Sequence, residues 1–117
     1  MKCFVKSLRY AIDGLCYVYK NQRNFRIQLF LGLCVIILGG YLNIKIMEWI
    51  VLVFVIAMVL VLELVNSVLE KVVDLVEPKM HHYVQIVKDV FAGCVLVFAI
   101  ASIIIGVLIF LPYLVLL

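Results

Sequence analysis

Five polar side chains cluster where a long apolar run gives out: Glu63, Asn66, Ser67, Glu70 and Asp74. At about 100° of rotation per residue they fall within an arc of roughly 100° on one helix, with Leu64, Val65, Val68 and Val72 outside it. An ionisable group at the centre of a helix in lipid costs about 2.5–3.5 kcal/mol and less toward the interface, so such a residue marks a functional position by default. A solvated helix face beyond the hydrocarbon is the alternative for Glu70 and Asp74. It fits Glu63 and Asn66 less well, because Leu62 and Leu64 flank Glu63 and Val65 precedes Asn66.

The spacing divides the work. Glu63 and Glu70 lie about 10 Å apart along a helix axis, too far to share one metal ion but matched to the two ends of a transferring phosphate group. Carboxylates plus an amide suit Mg²⁺, which takes one or two carboxylates and completes its shell with water and phosphate oxygens. Glu70 would hold Mg²⁺ on a nucleotide, Glu63 would take the proton of a lipid hydroxyl as general base, and Asn66 lies between them.

These residues need elements to position them, and the composition names the class. Of 117 residues, 68% are hydrophobic and the mean hydropathy is +1.30, which excludes an ordinary soluble fold. The expected architecture is an all-α membrane protein of one domain, residues 1–117: an amphipathic interfacial helix and three transmembrane helices. In residues 2–20, Lys2, Lys6, Arg9, Asp13 and Lys20 project within roughly 60° of one another, with Phe4, Leu8, Ala11, Ile12, Leu15 and Val18 on the other side. This pattern suits a helix lying in the interface, either as a plain anchor or with its basic side toward an anionic ligand. Lys6, Arg9 and Asp13 interrupt any signal-peptide core.

Asn21-Gln22-Arg23-Asn24 reads as a break. Spans are expected at about 27–44, about 49–76 with a cytoplasmic extension carrying the polar stripe, and about 90–111. Gly32, Gly39 and Gly40 suit close helix packing. Residues 43–48 form a short outer connection, Glu77-Pro78-Lys79 ends the second helix, and Pro112 marks the outer end of the third span. Nine of the ten Lys and Arg residues lie in 1–26 or 71–88, which places the N-terminus and the 71–89 segment in the cytoplasm. His81-His82 reads as a solvated loop, since adjacent histidines point different ways and no third ligand is spaced to join them. Cys3, Cys16, Cys34 and Cys94 have no ligand spacing and read as free thiols.

Three spans are few to enclose a site, so a homo-oligomer that turns the stripes toward neighbouring subunits is expected. There is no Walker A sequence, GxGxxG or kinase catalytic loop. Lys88 and the basic N-terminal residues would hold phosphates, and Ala92-Gly93 after Lys88-Asp89 leaves room for a neighbouring backbone or a ligand.

The stripe, as Glu63-x-x-Asn66-Ser67-x-x-Glu70-x-x-Val73-Asp74, resembles the signature of the small bacterial integral-membrane diacylglycerol kinase and undecaprenol kinase family. Tyr10-Ala11-x-x-Gly14-Leu15, Asn24-Phe25-Arg26-Ile27, Glu48-Trp49 and Lys88-Asp89-x-x-Ala92-Gly93 extend the likeness over nearly the whole chain. The resemblance implies an ATP- and Mg²⁺-dependent lipid kinase of the bacterial inner membrane, a homotrimer with active sites between subunits. It assigns Glu63 as general base, Asn66 to the lipid hydroxyl and phosphate, Glu70 to the metal, and Tyr10, Asp74, Lys88 and Asp89 to the nucleotide. The partners are then ATP and a membrane lipid alcohol, not nucleic acid.

Three positions depart from the family pattern. Gln22 stands where many members have a metal-binding Glu, so it is expected to be only a weak metal ligand; Gln28 stands where a His or Glu is usual, and Val68 where Ala is. The Asn-Phe-Arg-Ile-Gln stretch and the Glu-Trp pair look more like the undecaprenol kinase branch than the diacylglycerol kinase branch. The rival readings are a metal-impaired or non-catalytic protein that keeps the fold, marked by Gln22, and a small oligomeric transporter using Glu63.

Overall fold

A computed structural model describes residues 1–76 and 81–116, and these form four helices: α1 (Lys2–Asn21), α2 (Arg23–Leu42), α3 (Ile46–Val76) and α4 (His81–Leu116). The last three are long and apolar enough to cross a membrane. At about 1.5 Å per residue, the 31 residues of α3 reach about 46 Å, longer than the roughly 30 Å of bilayer hydrocarbon. The residues beyond the apolar run therefore extend as helix past the span, carrying the polar stripe with them. The expected stop at Glu77-Pro78-Lys79 lies outside the described residues.

The break between α1 and α2 shrinks to Gln22 alone, which is extended at φ −115°, ψ 109°. Arg26 keeps the corner tight. Its Nη1 donates to the carbonyls of Tyr19 at 2.9 Å and Lys20 at 3.0 Å, placing a cation on carbonyls that the end of α1 leaves unpaired.

The connection from α2 to α3 is also shorter than the expected 43–48. Asn43 closes α2 in the left-handed conformation, which asparagine tolerates, and Ile44 N–H reaches back to the Gly39 carbonyl at 3.3 Å. Glu48 sits in the first turn of α3, and its Oε1 accepts from the Lys45 backbone N–H at 3.1 Å, half of a capping box. Helix start therefore moves forward to Ile46.

Gly39 is needed at this corner: a Cβ there would meet the Trp49 ring at 3.0 Å and Ile44 at 3.2 Å. Gly32 is similar against Ile56, at 3.1 Å. Gly40 faces open space, so the packing role expected for all three glycines holds for two. A core of Ile44, Leu52, Ile109 and Phe110 fills this end of the bundle.

α4 corrects two expectations. His81 and His82 open the helix instead of forming a loop, because nothing in residues 81–89 breaks a helix and Val84 is buried. Pro112 lies inside α4 and does not end it. The final turn is held across the bundle, where the Tyr113 hydroxyl donates to Glu48 Oε1, so the helix continues although Pro112 cannot bond to the Leu108 carbonyl.

Candidate active site between helices three and four

α3 packs against both α2 and α4, and the stripe divides between those two contacts. Asn66, Glu70 and Asp74 turn toward α4, where with Lys88 and Ala92 they line a cavity of about 340 Å³. Helix periodicity produces the row: residues four apart lie on one face, and Asn66, Glu70 and Asp74 follow that step. Asn66 Nδ2 donates to Glu70 Oε1 at 3.4 Å. Two carboxylates, an amide and one ammonium therefore share a space the size of a small ligand.

Glu63 and Ser67 face inward instead. Glu63 is only 6% exposed, and its Oε1 accepts from Gln28 Nε2 of α2 at 3.0 Å. The Ser67 hydroxyl donates to the Glu63 carbonyl at 3.1 Å, which satisfies it within its own helix. The one polar arc that helix periodicity gives is thus two sites, one buried and one open, about a turn or two apart.

Other residues singled out in the sequence stand elsewhere in the protomer. Asp89 Oδ1 accepts from Gln85 Nε2 at 3.0 Å on the exposed side of α4. Tyr10 is 70% exposed on α1, and Gln22 is half-buried at the α1–α2 corner. None of the three lines the 340 Å³ cavity. α1 nevertheless approaches α3, because the Lys71 ammonium sits 5.8 Å from the centre of the Tyr17 ring.

Gln28, which the sequence marks only as a departure from the family pattern, is the residue that meets Glu63 across the bundle. An amide inside an apolar run was its signal, but its partner Glu63 is 35 positions away and on another helix. Among the described residues no three His, Cys, Asp or Glu side chains gather into a ready cation site. Mg²⁺ does not need that many: Glu70 and Asp74, with the Asn66 amide oxygen, would supply hard oxygen donors for a site completed by water and phosphate. The donor set fits the ion.

Three span-length helices with a carboxylate and ammonium cavity between two of them define a polytopic membrane protein. The family model described as prokaryotic diacylglycerol kinase matches residues 9–110, and the chain belongs to that family of membrane lipid kinases. It is 43% identical over 107 residues to a diacylglycerol kinase of Synechocystis, covering 91% of this chain and 61% of that one. It is 39% identical over 109 residues to the undecaprenol kinase of Bacillus subtilis, covering 93% and 89%. A diacylglycerol kinase of Helicobacter pylori is 32% identical over 96 residues, covering 82% and 75%. The chain thus spans about three fifths of the Synechocystis relative and most of the other two. No solved structure gives a significant match.

Proposed function

We propose that the protein transfers the terminal phosphate of ATP to the hydroxyl of a membrane lipid alcohol, with undecaprenol preferred to diacylglycerol. The observation that carries this reading is the cavity where Asn66, Glu70, Asp74 and Lys88 converge from two helices. The preference for undecaprenol is supported by Asn24-Phe25-Arg26-Ile27-Gln28 and Glu48-Trp49, and by the nearly end-to-end correspondence with the Bacillus relative.

Glu70 and Asp74 would hold Mg²⁺, Asn66 orients the Glu70 carboxylate, and the Lys88 ammonium would pair with phosphate oxygens. An ion held there would supply charge neutralisation to the phosphate oxygens. Glu63, held by Gln28, takes the proton from the lipid hydroxyl as the oxygen attacks the terminal phosphorus. The bond between that phosphorus and the bridging oxygen breaks, and ADP leaves.

Lys and Arg concentrated in 1–26 and 71–88 support an N-terminus and cavity on the cytoplasmic side of the inner membrane, where ATP is. α1 lies in the interface with Phe4, Leu8, Ile12 and Leu15 against lipid. The whole chain acts as one domain in a homotrimer, and Tyr10, Gln22 and Asp89 reach the nucleotide or its metal ion from α1 and from neighbouring subunits.

Purified protein given labelled ATP, Mg²⁺ and either alcohol tests the reading. Labelled undecaprenyl phosphate, formed with higher kcat/KM than labelled phosphatidate, is the expected result. A higher kcat/KM for diacylglycerol reverses the preference, and no lipid phosphate from either alcohol ends the kinase reading.

A further inference from the structure

α1 is tied to the rest of the protomer at its C-terminal end. Val18 is its single buried residue, and every residue from Lys2 to Tyr17 is exposed. The last turn is pinned at the corner with α2: Arg26 donates to the carbonyls of Tyr19 and Lys20, and Asn21 Nδ2 donates to the Tyr17 carbonyl at 2.8 Å. The connection itself is the one extended residue Gln22. A helix of 20 residues held only there is a lever about 30 Å long, and a small rotation at Gln22 sweeps its far end widely.

A second attachment fixes the direction of such a lever, and Tyr17 supplies it. The Lys71 ammonium of α3 lies 5.8 Å from the centre of the Tyr17 ring, within the reach of cation–π attraction. Both side chains are exposed, so neither is there to fill a core. Lys71 directly follows Glu70 and stands three residues before Asp74, so the contact brings α1 to the part of α3 that carries the open cavity. Tyr10 precedes Tyr17 by seven residues, which puts it within about 20° of the same direction around α1 and about 10 Å along it. Turning Tyr17 onto Lys71 therefore also sets which way Tyr10 points.

We propose that Tyr17 and Lys71 latch α1 onto the polar end of α3, and that Tyr17 is thereby a positioning residue for the nucleotide, acting through Tyr10. The inference rests on the kinase reading for the nucleotide and adds to it the contact that orients α1. No proton or group is transferred at the latch. It consists of a cation against the electron-rich face of an aromatic ring, which survives exchange of Tyr for Phe and of Lys for Arg and is lost with Leu or Met.

Tyr17→Leu and Lys71→Met should each raise the KM for ATP about two- to fivefold, the range an exposed cation–π pair supports, with kcat and the KM for the lipid alcohol unchanged. Tyr17→Phe and Lys71→Arg should keep the wild-type KM. The double variant Tyr17→Leu with Lys71→Met should be no worse than either single one, because the two side chains act through one interaction. An unchanged KM for ATP in both single variants, effects that add in the double variant, or a Tyr17→Phe protein that behaves as Tyr17→Leu overturns the proposal.

A distance measurement separates the latch from the kinase reading. Nitroxides are placed on Lys6→Cys in α1 and Leu75→Cys in α3, with the four native cysteines changed to alanine and labelled copies diluted by unlabelled ones in nanodiscs. Double electron–electron resonance should give one narrow distance that broadens in Lys71→Met and narrows again in Lys71→Arg. That broadening, with no lipid phosphate formed by the wild type, keeps the latch and removes the kinase reading. Superimposable distributions in the wild type and Lys71→Met remove the latch and leave the kinase reading intact.

Discussion

A carboxylate buried among apolar side chains needs a donor, and Gln28 is the donor Glu63 has. Glu70 is placed differently: exposed, hydrogen-bonded among the described residues to Asn66, and facing the open cavity. In the proposed reaction the buried group does the proton chemistry and the exposed one the charge chemistry. Glu70→Gln keeps the shape and removes the charge, so turnover should fall by more than about a hundredfold with folding intact, as followed by labelled lipid phosphate and circular dichroism. Gln22 offers at most a neutral carbonyl oxygen to a cation. Gln22→Glu should lower the Mg²⁺ concentration that gives half-maximal rate, read from a Mg²⁺ titration at fixed ATP.

At the scale of elements, the helices themselves are legible in the sequence, and their ends much less so. Apolar run length gives three spans, and the basic and apolar periodicity of residues 2–20 gives a fourth helix. The ends depend on side chains reaching across the fold. Arg26 caps the preceding helix, Glu48 caps its own, and Tyr113 ties the last turn of α4 to Glu48, so neither the four-residue break at 21–24 nor a stop at Pro112 survives. The site shows the same division. Asn66, Glu70, Asp74 and Lys88 are recognisable by type and spacing, but the inward turn of Glu63 toward Gln28 depends on how α2 packs on α3.

Two variants examine these joints. Arg26→Leu removes the cation from the end of α1 and should cost about 0.3–1 kcal/mol, seen as faster proteolysis at the corner. Gly39→Val drives a side chain into Trp49 and Ile44 and should destabilise the bundle by about 1–3 kcal/mol, measured as a lower midpoint of unfolding in mixed micelles.

At the scale of the molecule, one protomer is a slab of 57 × 41 × 22 Å with few buried side chains. Leu31, Phe54, Val61, Leu96 and Ile103 stand on its surface, which suits lipid on some faces and neighbouring copies on others. Tyr10, Gln22 and Asp89, away from the cavity within one protomer, come into play if a second copy lies alongside. Cross-linking in native membranes should then give a band at three times the monomer mass, and a monomer band alone would remove their assigned roles.

The most direct test of the central claim follows the label itself. Protein purified into lipid nanodiscs with γ-labelled ATP, Mg²⁺ and undecaprenol should yield labelled lipid phosphate in the wild type and almost none in Glu70→Gln. Label that stays in ATP or appears only as inorganic phosphate in the wild type, or equal lipid labelling by the two proteins, contradicts the account.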